Sequence, residues 1–99
     1  MPIQVAIDKE KIADFCRRHY IRRLAFFGSV LGDGFGVKSD VDVLVEFEPG
    51  HVPGLIGMGG LTRRLSEILG RPVDLRTPED LSRYFREDVL DQAEVVYEA

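Results

Sequence analysis

Asp40 and Asp42 stand one residue apart in the run Ser39-Asp40-Val41-Asp42-Val43-Leu44-Val45-Glu46-Phe47, which is otherwise mostly branched and apolar. Such a run reads as a largely buried strand. On a strand, residues i and i+2 share a face, so the two carboxylates would lie side by side roughly 7 Å apart. Like charges at that spacing repel unless something positive sits between them. A divalent cation answers the problem, and ligands made only of oxygen favour Mg²⁺ or Mn²⁺ over Zn²⁺. Val41, Val43 and Val45 should face the core, leaving Asp40, Asp42, Leu44 and Glu46 on the side that opens onto a cleft.

The rest of the chain supplies the frame. Asp8 can cap a helix to about His19, with Ile12, Phe15 and Cys16 on one stripe. Arg22–Phe27 reads as a strand running into the Gly28-Ser29 turn, and the glycine-rich stretch from Val30 to Lys38 reads as a loop. After the Val41–Phe47 strand, Pro53 starts a second helix that reaches Leu69 and stops at Gly70. Its front half is weakened by Gly54, Gly57, Gly59 and Gly60, at about 1 kcal/mol each relative to alanine. Such glycines mean either frayed turns or the close approach of a ligand or partner. Pro72–Leu75 is a short third strand, Thr77-Pro78-Glu79-Asp80 opens a helix to about Leu90, and Ala93–Tyr97 adds a last strand. The fold class is therefore α/β (or α+β): one small mixed β-sheet flanked by helices, in a single domain over residues 1–99.

Composition narrows the function classes. The chain carries 17 acids against 13 bases, a net charge of −4, which argues against nucleic acid as the main partner. One cysteine, Cys16, excludes an internal disulfide and any multi-cysteine metal site. No apolar run has the length of a membrane span and no signal peptide is evident, so a cytoplasmic protein is expected.

A phosphate site can be assembled from what remains. Gly28 lets the backbone come close to an anion, Ser29 offers a hydroxyl donor, and Lys38 adds charge to balance a triphosphate. Asp74, between Val73 and Leu75, interrupts an apolar strand as Asp42 does and is the best third carboxylate. Glu46 is a weaker choice, because four residues of strand put it roughly 13 Å from Asp42. Asp33 would reach the site only if its loop folds over. A two-metal clamp on an in-line phosphoryl displacement needs such a set. His19 reads as a cation suited to a helix C-terminus, Cys16 as a small core residue, and Tyr84, Phe85 and Tyr97 as packing residues. Arg17, Arg18, Arg22 and Arg23 form the densest basic cluster and Arg63-Arg64 a second; both read as solvated faces, with an acidic partner or RNA as the sharper option.

Phe27-Gly28-Ser29, then Ser39 to Phe47 with its paired aspartates, then Arg71-Pro72-Val73-Asp74-Leu75, resemble the minimal nucleotidyltransferases. These are the stand-alone MNT or MntA-like members of the DNA polymerase beta superfamily, and the resemblance covers nearly the whole chain. It implies the nucleotidyltransferase fold, with ATP and Mg²⁺ at one edge of the sheet. Asp40, Asp42 and Asp74 would be the catalytic metal ligands, Asp74 also helping to deprotonate the acceptor. Gly28 and Ser29 would hold the triphosphate. It further implies a HEPN-domain toxin as partner, neutralised by transfer of AMP to a tyrosine. Ninety-nine residues leave little room for a domain that clamps base or acceptor, so a partner chain or a homo-oligomer is expected to complete the site. Gly32-Asp33-Gly34 departs from the family, which often carries a basic residue there. That departure keeps open a non-catalytic antitoxin that works by masking its partner.

Overall fold

The structure, a computed structural model, describes residues 7–28, 40–84 and 86–99. Asp8 caps α1 (Lys9–Arg18), its carboxylate accepting from the Lys11 N–H at 3.2 Å. β1 (Ile21–Phe27) pairs antiparallel with β2 (Val41–Phe47), and α2 (Leu55–Leu69) carries the chain to β3 (Val73–Arg76), parallel to β2. A 3₁₀ turn (Pro78–Asp80), α3 (Arg86–Gln92) and β4 (Glu94–Glu98) complete the order. The sheet is mixed, with strand order β3-β2-β1-β4.

The alternation read from β2 is the one observed. Val41, Val43 and Val45 are fully buried and join Leu24 and Phe26 in one cluster with Ile12, Phe15 and Cys16 of α1 and Leu61, Leu65 and Leu69 of α2. Both long helices therefore cover one face. The other face is thinner: Ala25 and its register partner Leu44 are buried there, and the Pro78–Asp80 turn packs against β2. α2 starts at Leu55 rather than Pro53, capped by Gly54 without a side-chain hydrogen bond. Gly70 ends it in the left-handed conformation, its N–H donating to the Ser66 carbonyl at 2.8 Å. The next bond outward, Val41 N–H to the Pro72 carbonyl at 2.8 Å, fastens the start of β3 to the start of β2.

One expected element is divided. The sequence predicts a single helix from Thr77 to Leu90, but helix is interrupted between Asp80 and Arg86. The Asp80 carboxylate accepts from both the Thr77 N–H (3.0 Å) and the Thr77 hydroxyl (3.1 Å), closing a single turn on itself. Leu81 then turns extended (φ −86°, ψ 145°) and is buried, so the drive to bury it outweighs continuation of the helix. Tyr97 packs against the core as expected, whereas Tyr84 is exposed. Among the described residues no helix is long and apolar enough to cross a membrane.

Candidate functional site

Register places the acids. Asp42 is the parallel partner of Asp74 and the antiparallel partner of Phe27, so the first turn of chain after β1 passes directly beside its carboxylate. That residue is Gly28, at φ +75°, where L side chains are strained. A Cβ there would also fall within bonding range of the Asp42 carboxylate oxygen. Glycine is required twice over, for its backbone and for its missing side chain. Asp40, just before β2, is exposed, while Asp42 and Asp74 are half-buried.

The electrostatics follow from that crowding. Burial pushes the Asp42 carboxyl up from its usual value, the Asp74 charge adds to the rise, Arg76 opposes it and Asp40 adds a smaller push. Arg76 is the residue that sequence reasoning passed over. Two positions after Asp74, it shares that face of β3, and its Nε and Nη2 both donate to Asp74 Oδ2 at 3.2 Å. The spacing was the available signal, since i and i+2 on a strand always share a side.

Asp40, Asp42, Asp74 and Gly28 are thus gathered at the end of the sheet where β1 stops and β2 and β3 begin. Among the described residues, however, no three His, Cys, Asp or Glu form a group ready to hold a metal, and Asp74 is turned to Arg76. Ser29, Lys38, Asp33 and the Gly32-Asp33-Gly34 departure lie outside the described residues. Glu46 is excluded as a ligand: it pairs with Arg23 at 3.0 Å and lies toward the far end of β2.

His19 is the C-cap of α1, the helix-end position expected, but its ring packs against Phe15 with centroids 4.9 Å apart, and burial, then Arg64, then Arg18, lower its pKa, which disfavours the charged form there. Cys16 is the core thiol expected, pushed up to about 12 by burial.

Comparison with known proteins agrees with this geometry. A protein of Methanocaldococcus jannaschii named among the protein adenylyltransferases is 32% identical over 85 residues, 86% of this chain and 89% of that one. Protein adenylyltransferase MntA of Thermococcus cleftensis is 36% identical over 80 residues, 81% of this chain and 77% of that one. Two solved assemblies contain a chain of the same fold. One is a toxin–antitoxin with AMP-PNP (TM-score 0.74, 21% identity, 94% of this chain, 75% of that one). The other is a tri-AMPylated HEPN toxin of Shewanella oneidensis in complex with an MNT antitoxin (TM-score 0.66, 20% identity, 92% of this chain, 70% of that one). The nucleotidyltransferase domain model matches residues 9–96. With aspartates aligned across two strands, a glycine pressed against them and that match over nearly all its length, the chain belongs to the nucleotidyltransferase domain family of enzymes.

Proposed function

We propose that this chain transfers AMP from ATP to a tyrosine hydroxyl of a HEPN-domain toxin, in the cytoplasm, and so acts as the antitoxin of the pair. The observation that carries the reading is the alignment of Asp42 with Asp74 beside Gly28. The names of its relatives, protein adenylyltransferases, and the AMPylated HEPN complex of the Shewanella neighbour support it.

The donor set fits Mg²⁺ or Mn²⁺. It is all carboxylate oxygen, and burial, with the charges of Asp74 and Asp40 added, disfavours ionisation of Asp42, a penalty that a cation relieves. Mg²⁺ is commonly held by one or two carboxylates plus substrate phosphates and waters, so a preformed three-acid cage is not needed. When bound, the cation would neutralise triphosphate charge and polarise the α-phosphate. Asp40 and Asp42 would hold it, with Asp74 as the third carboxylate. Gly28 leaves room for the phosphates, and Ser29 and Lys38 are assigned to the same triphosphate. Asp74 takes the proton as the acceptor oxygen bonds to the α-phosphorus. The bond to the bridging oxygen breaks, and pyrophosphate leaves.

The Asp74–Arg76 pair favours one second reading, in which the chain neutralises its partner by masking, because that pair engages the carboxylate that transfer requires. Incubation with α-labelled ATP, Mg²⁺ and a HEPN-domain protein separates the two. Label on a tyrosine of that protein, absent with Asp42→Ala, is the expected result. Full neutralisation by Asp42→Ala without label overturns transfer in favour of masking.

A further inference from the structure

The end of the molecule opposite the acids carries a surface that the catalytic reading leaves unused. α2 has 15 residues and spans about 22 Å, running from that far end toward the start of β3. Its first turn exposes Leu55 (92%) and Ile56 (94%), with Val52 (68%) just before it. Large apolar residues this exposed, and adjacent, mark an interaction surface rather than scattered surface chemistry. Beyond Ile56 the outer face of α2 forms an open hollow of about 550 Å³ lined by Ile56, Gly59, Gly60, Arg63, Arg64 and Glu67.

The charge of this hollow is cationic in a chain whose net charge is −4. Neither Arg63 nor Arg64 forms an ion pair among the described residues, and Glu67 is the acid that lines this hollow with them. A neighbouring hollow of about 490 Å³ continues the surface through Arg64 to Arg18, His19 and the stacked rings of Tyr20 and His51, 3.9 Å apart. Arg18 is balanced by Asp14 at 3.1 Å, so the unbalanced charge belongs to Arg63 and Arg64.

We infer that the outer face of α2, from Leu55 to Arg64, docks an acidic amphipathic helix of the partner protein, away from the catalytic end. This rests on the HEPN-toxin reading for the partner's identity and on the surface itself for its chemistry. The apolar turn takes the partner helix's apolar stripe, and the two arginines select acids at its rim. A Cβ at Gly59 or Gly60 would meet nothing within 4 Å, so no internal contact requires these glycines, and the floor they leave low suits close helix approach. Nucleic acid fits less well, because one end of the surface, Val52, Leu55 and Ile56, is aliphatic. A second copy fits less well too: its exposed acidic helix α3 has only seven residues and covers about half the length of α2. Docking here leaves the mouth beside Asp42 free for an acceptor tyrosine.

The test measures the affinity of the full chain for a HEPN-domain protein, without ATP, alongside AMP transfer. Arg63→Glu/Arg64→Glu and, separately, Ile56→Asp should each weaken binding at least tenfold, with unfolding midpoints near wild type because all three positions are exposed. Asp42→Asn should bind as wild type. Docking is overturned if both α2 variants bind like wild type, or transfer with unchanged KM. It is equally overturned if the double variant loses only self-association or only RNA binding. Loss of binding in the α2 variants, with no transfer by the wild type, upholds docking and sinks the catalytic reading. Absence of binding by the wild type sinks both.

Discussion

At Gly28 one added carbon would collide with the Asp42 carboxylate. The position is left-handed and pressed against Asp42, so Gly28→Ala adds backbone strain and a collision together. It should destabilise the chain by at least about 1 kcal/mol in chemical unfolding and abolish nucleotide binding. Asp42 behaves in the opposite sense. Its carboxyl is raised above the usual range by burial and by Asp74, so the ionised form is a cost to the fold at neutral pH. Asp42→Asn should therefore raise the melting temperature of the metal-free protein while lowering transfer by on the order of a hundredfold or more. A fall in melting temperature would show that the fold depends on this charge. The pairing of these residues was legible in the alternation of β2 and in the interrupted strand at Asp74. The role of Arg76 was not, because an isolated arginine at a strand end has many possible partners and only register selects one.

Among the elements, α2 shows most clearly what propensity can and cannot say. Its glycines argued for weakness, yet the helix forms from Leu55 because Leu61, Leu65 and Leu69 are buried against the sheet. Burial of three leucines outweighs propensity costs of about 1 kcal/mol per glycine. Gly59 has open space around its α-carbon and sits in the helix interior. Gly59→Ala should thus stabilise the protein by about 0.5–1 kcal/mol in urea unfolding. The segment after β3 failed the sequence reading for a tertiary reason. Thr77-Pro78-Glu79-Asp80 has every local mark of a helix start, and it does make one turn, but Leu81 is drawn into the fold and the helix breaks there. Local signals set the start of an element; packing set its end.

Across the whole molecule, the two kinds of charge are separated. Acids gather where β2 and β3 begin, and Arg18 at the end of α1 and Arg64 in the middle of α2 line one hollow. His19 lies in the second region and should give the fold a measurable pH dependence. Its folded pKa lies below the 6.5 of the free side chain, so the unfolded chain takes up the proton first as pH falls. Its stabilising contribution is complete above about 6.5 and is lost as pH drops toward the depressed folded value. Unfolding free energies between about pH 5 and 8 should show that decline, and His19→Gln should flatten it. The class of fold and the gathering of Asp40, Asp42 and Asp74 at one end of the sheet were readable because a period of two and an acid that interrupts an apolar strand are both local patterns. The Arg63-Arg64 cluster was readable too, but its continuation to Arg18 and His19 of the neighbouring helix was not, since only tertiary packing brings them together. The central claim is that Asp42, Asp74 and Gly28 form a nucleotide site that works through a divalent cation. Calorimetric titration with AMP-PNP, with and without Mg²⁺, tests it most directly. Binding by the wild type only when Mg²⁺ is present, lost in both Asp42→Asn and Gly28→Ala, is the predicted result; equal binding without Mg²⁺, or retained by Asp42→Asn, would contradict it.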